Sequence, residues 1–99
     1  MSEKLLENKH FVNLLITAHP SQTKALLTTA SLAQVQCLVE IAYNLIETQE
    51  SLHHRQKRLL EYLSNLSVSL KRKKPLLVKH RVLFVELLKK FRSIFESIE

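Results

Sequence analysis

Glycine is absent from all 99 residues of this chain. Roughly seven would be usual at this length. Gly is the residue that enters positive φ without steric cost, so any turn that needs Gly there is excluded. Capped helices joined by Ser, Thr and Pro do without such turns. A Gly-rich phosphate loop and a dinucleotide fingerprint do not, and both are excluded. Asp is absent too, since all nine acidic residues are Glu. That removes Asp-based metal loops and an Asp-oriented catalytic triad. The one cysteine, Cys37, excludes an internal disulfide and a multi-Cys zinc site.

The length fits one domain. Apolar residues make up 45% of it, enough for a modest core and too many for a disordered chain. Charge is divided unevenly. Residues 1–50 hold three Lys and five Glu, a net of −2, and residues 51–99 hold twelve Lys and Arg against four Glu, a net of +8. This asymmetry points the second half toward an anionic partner, either nucleic acid or an anionic membrane surface. The start, MSEKLLENKH, lacks a basic opening and an apolar stretch, so no secretory signal is expected. No apolar run approaches the length of a membrane span.

Apolar spacing is helical throughout. A first helix is expected over about 2–17, with Leu5, Leu6, Phe11, Val12, Leu14, Leu15 and Ile16 on a broad stripe. Pro20 suits a first helical position, which places a second helix over about 20–29 with Ala25, Leu26 and Leu27 inward. Ser31 and Gln34 form a capping-box pair ahead of Val35, Leu38, Val39, Ala42, Leu45 and Ile46. That predicts the central helix, about 32–47. Ser51 is the expected cap of a fourth helix over about 52–67, whose stripe is Leu52, Leu59, Leu60, Leu63 and Leu66. A proline ring clashes with the carbonyl four residues back, so the last helix is expected to begin near Pro75 and run to about 98. The fold expected is therefore all-α, a compact bundle of about five helices. Residues 1–70 form the bundle, and 71–99 hold a basic linker and the C-terminal amphipathic helix.

Metal and catalytic chemistry have little support. The adjacent His53 and His54 point about 100° apart on a helix and do not converge on one ion. Cys37 lies among apolar residues of the central helix, and Glu40 and Glu47 are two turns apart. No metal, no cofactor and no enzyme activity are expected. The strongest signal is basic. Lys71, Arg72, Lys73 and Lys74 are consecutive, Lys79 and Arg81 follow, and Arg55, Lys57 and Arg58 join from the fourth helix. Such a set suits phosphate contacts without base readout. The last helix carries a wide apolar face, including Leu77, Phe84, Leu88, Phe91 and Phe95, which needs covering. The bundle, a protein partner or second copy, or lipid would each serve.

The segments Gln22-Thr-Lys24-Ala-Leu-Leu27, Thr29-Ala30, Gln34, Leu38-Val-Glu40-Ile41, Asn44-Leu45, Leu52 and Ser69-Leu-Lys71-Arg-Lys-Lys74-Pro-Leu76-Leu77-Val78 keep a distinctive order and spacing. Over about residues 20–78 the chain resembles small basic proteins encoded by Polinton/Maverick-type elements and adintovirus-like genomes of animals. The resemblance implies a virus- or transposon-encoded virion component associated with the genome, located in the virion or host nucleus. Members of that group continue from the basic run into a Gly-containing apolar tail, whereas here Lys79-His80-Arg81 leads into a charged helix without Gly. Taken together, the expected function is sequence-independent binding of nucleic acid, double-stranded DNA above all, inside the cell. A helical interaction or self-assembly module and a membrane-active entry protein are the alternatives.

Overall fold

The computed structural model describes residues 8–49 and 51–92. Among them run six helices: α1 (Lys9–Thr17), α2 (Pro20–Thr28), α3 (Leu32–Thr48), α4 (His54–Ser64), α5 (Leu70–Lys79) and α6 (Arg81–Lys90). None of the described residues has a positive φ, in keeping with a chain without Gly, and none is a strand residue.

Side-chain caps start four of these helices. The Ser31 hydroxyl accepts from the Gln34 amide at 3.1 Å, and the Gln34 side chain accepts from the Ser31 amide at 2.9 Å. The same reciprocal arrangement recurs with histidine as the cap. His19 Nδ1 accepts from Ser21 N–H and Gln22 Oε1 accepts from His19 N–H, opening α2 just before Pro20. His53 Nδ1 accepts from Arg55 N–H and Gln56 Oε1 accepts from His53 N–H, opening α4. The α4 cap is thus His53 and not Ser51, because Gln56 stands three residues after His53 and nothing comparable follows Ser51. Ser69 caps α5 by accepting from Arg72 N–H.

Two expected boundaries move. The stripe of the fourth helix was extended through Leu66, but α4 ends at Ser64 and Leu66 is 97% exposed. Ser64 Oγ donates back to the Leu60 carbonyl, and Asn65 Oδ1 accepts from the Ser67 amide and hydroxyl at 2.9 and 2.7 Å. These short polar side chains offer the backbone a turn in place of further helix. The expected basic linker at 71–74 is helix, and Pro75 lies inside α5. The Ser69 cap commits the backbone a full turn before the proline. Lys71, whose carbonyl loses its partner to the ring, is exposed, as is Pro75 itself. The break falls instead at His80, which ends α5 and precedes α6. Arg81 donates to the Val78 carbonyl at 2.8 Å and satisfies part of that helix end.

Packing is organised on α3, whose Val35, Cys37, Leu38, Val39, Ile41, Ala42 and Leu45 are all buried. It packs on α4 and α5, and α6 packs on α1, α2, α4 and α5. The core adds Phe11, Val12, Leu15 and Ile16 from α1, Leu27 from α2, Leu59, Leu60 and Leu63 from α4, and Leu77 from α5. From α6 come Phe84, Leu87 and Leu88, each without exposed surface, with Phe91 just after it. Lys90 Nζ lies over the Phe91 ring, 5.3 Å from its centroid. In α2 only Leu27 of the three expected residues is buried, and Thr23 takes an inward position with its hydroxyl donating to the His19 carbonyl. The radius of gyration, 12.2 Å, is close to the roughly 13 Å of a close-packed chain of about 100 residues. The expected helical residues 2–7, with Leu5 and Leu6, and 93–98, with Ile94, Phe95 and Ile98, lie outside the described residues.

The buried α6 face and the exposed α4–α5 turn predict opposite responses to truncation. Phe84→Ala should cost about 3–5 kcal/mol in urea denaturation. Leu66→Ala should change stability by less than about 0.5 kcal/mol.

Candidate nucleic-acid interface

The nine basic residues singled out in the sequence divide into three groups. Arg55, Lys57 and Arg58 on α4 and Lys71, Arg72 and Lys79 on α5 are exposed. Lys74 and Arg81 are half-buried and already hold backbone oxygens. Lys74 Nζ donates to the Ala30 carbonyl at 2.8 Å and so ties α5 to the end of α2. Arg81 holds the Val78 carbonyl. Lys73 is only 3% exposed. Four consecutive cations on a helix sweep through about 300°, so one of them has to face inward. That one is Lys73, the residue four before the buried Leu77.

Burial of its stem pushes the Lys73 ammonium below the ordinary lysine value. No unpartnered polar side-chain atom is sealed inside among the described residues, so Nζ ends at the protein edge on a snorkelling stem. Lys73 is therefore a structural residue more than a phosphate ligand, a correction to the sequence reading.

The exposed cations are not all on one face. Lys57 lines an open cleft with Tyr43, Glu47, Glu61, Tyr62 and Asn65, where the carboxylates oppose an anionic ligand. Arg55 and Arg58 lie on the other side of Tyr62, which borders both clefts. They share a groove of about 310 Å³ with Leu59, Tyr62, Leu76, His80 and Leu83, and no carboxylate lines it. Arg55, Arg58 and Tyr62 follow the i, i+3, i+7 spacing of one helix face. On α5, Arg72, Leu76 and His80 recur every four residues, which sets Arg72 one turn beyond the groove on the same side. Lys79 is three residues after Leu76 and flanks that side. The α4–α6 and α5–α6 contacts hold the two walls together.

Tyr62 and His80 were not expected at a functional surface. The Tyr62 spacing from Arg55 and Arg58 was visible in the sequence. The approach of His80 depends on α5 and α6 bending apart at that residue. The face proposed for a partner or lipid is not available: Leu77, Phe84 and Leu88 have no exposed surface and Phe91 has 8%, while Phe95 lies outside the described residues. The chain's own core covers the four.

Among the described residues no three His, Cys or Glu side chains gather as a metal site. The Cys37 thiol is pushed up to about 12, chiefly by burial and further by the negative charge of Glu40. It is a packed hydrophobe with almost no thiolate at neutral pH. Among the described residues no single helix is long and apolar enough to cross a membrane, and α2 with α3 reaches that size only as a pair bent by 115°. Comparison with protein-family models, curated proteins and solved structures gives no match for this chain.

Two measurements check these assignments. Between the lowered Lys73 pKa and the ordinary value of 10.5, the unfolded chain binds more protons than the folded one. Stability carried by this residue therefore rises with pH through that window. Lys73→Met should be more stable than the parent at pH 7, and the difference should shrink as pH approaches 10.5. Cys37 should react with a thiol reagent at pH 7.4 at least about 100-fold more slowly in the folded protein than in denaturant.

Proposed function

We propose that this chain binds double-stranded DNA along its phosphate backbone without reading base sequence. One observation carries the reading. Arg55, Arg58, Arg72 and Lys79, with Lys71 beside them, present exposed cations on adjoining faces of α4 and α5 around a groove free of carboxylates. Guanidinium and ammonium groups set on rigid helices neutralise phosphates and release condensed counterions, which supplies affinity for any sequence. The resemblance to proteins of Polinton-type elements and adintovirus-like genomes adds a setting, a genome-associated component of a virion core. Of the apolar face that the interaction-module and membrane-active alternatives use, Leu77, Phe84, Leu88 and Phe91 are buried in the chain's own core.

The test is a salt titration of binding to a blunt duplex. With five phosphates engaged, log K should fall against log salt with a slope of about −4 to −5. The triple variant Arg55→Gln, Arg58→Gln and Arg72→Gln should flatten that slope by about 3 and weaken all sequences alike. Affinity independent of salt, or no binding at low salt, overturns the proposal.

A further inference from the structure

The groove between α4 and α5 holds more than a backbone contact needs. Phosphates are met by the rim, Arg55 and Arg58 on one wall and Arg72 one turn along the other. The interior is apolar and aromatic. Leu59, Leu76 and Leu83 form its floor, Tyr62 keeps 39% of its surface exposed, and His80 is half-buried beside it. A continuous duplex offers phosphates and sugars to such a surface but keeps its base faces stacked inside. An unpaired nucleotide offers both, a phosphate for a guanidinium and a flat π face for a tyrosine or imidazole ring.

We infer that this groove receives an unpaired base of the bound nucleic acid, with Tyr62 as its stacking surface and Arg55 and Arg58 on the flanking phosphates. The inference rests on the nucleic-acid reading above and makes it more specific. The chain holds continuous duplex through charge alone and favours ends, gaps and single-stranded stretches through Tyr62. The cavity, about 310 Å³, has room for one base and not for a folded strand. No carboxylate lines the groove itself, which suits an anionic occupant, and Glu47 and Glu61 line the neighbouring cleft across Tyr62. The selectivity is for unpaired over paired bases and not for one base over another, because every base has a π face.

The chain has two Tyr and no Trp, which makes the test direct. In the variant Tyr43→Phe the only tyrosine emission is that of Tyr62. Three probes are compared with the full chain: a blunt duplex, the same duplex with a single-stranded thymidine overhang, and the same duplex with an abasic overhang of equal phosphate number. The thymidine overhang should bind about tenfold tighter than the abasic one. It alone should quench Tyr62 emission. Tyr62→Leu should remove the preference for the thymidine over the abasic overhang, and Tyr62→Phe should restore it. Equal affinity for the two overhangs, or a preference that survives Tyr62→Leu, overturns the inference while duplex binding with its salt slope stands. Failure of every probe to bind at low salt overturns both readings together.

Discussion

The structure depends on the burial of α6. Phe84, Leu87 and Leu88 have no exposed surface, and the helix carrying them touches α1, α2, α4 and α5. At about 25 cal/mol per Å² of apolar surface, these three side chains with Phe91 are worth roughly 6–10 kcal/mol, comparable with the whole stability of a small domain. Closing α6 onto the bundle also brings Leu83 and His80 against α4. The packing that completes the core therefore builds the groove. A chain that failed to dock α6 would lose the candidate site along with its stability.

Much of the fold was legible because helices announce themselves locally. The Ser31–Gln34 pair sits at the start of α3 as its spacing predicts. Pro20 stands at the first position of α2. Where the sequence misled, a local rule met a stronger tertiary term or a competing hydrogen bond. Pro75 looked like a helix start, but the Ser69 cap and the inward side chains Lys73 and Leu77 hold the helix through it. Leu66 continued an apolar stripe past the point where Asn65 and Ser67 turn the chain.

The site was legible as chemistry and not as geometry. A basic run reads as one patch in a linear sequence. Wound into α5 it separates into outward Lys71 and Arg72, an inward Lys73, and a Lys74 spent on the Ala30 carbonyl. Lys57 and Arg58 are adjacent in sequence yet line different clefts on the two sides of Tyr62, one bordered by Glu47 and Glu61 and the other by His80. No pattern along the chain could pair Arg58 with His80, since their approach depends on how α4 and α6 meet.

The turns carry one more consequence. With no positive φ among the described residues, the described parts of the connections between helices follow backbone paths open to any L-amino acid. Backbone geometry therefore places no residue-specific demand on these corners. The demands on sequence fall instead on the core, the caps, the charged faces and side-chain turns such as Asn65–Ser67. Kinship among chains of this shape would be written in the spacing of buried and capping positions, not in conserved turn glycines.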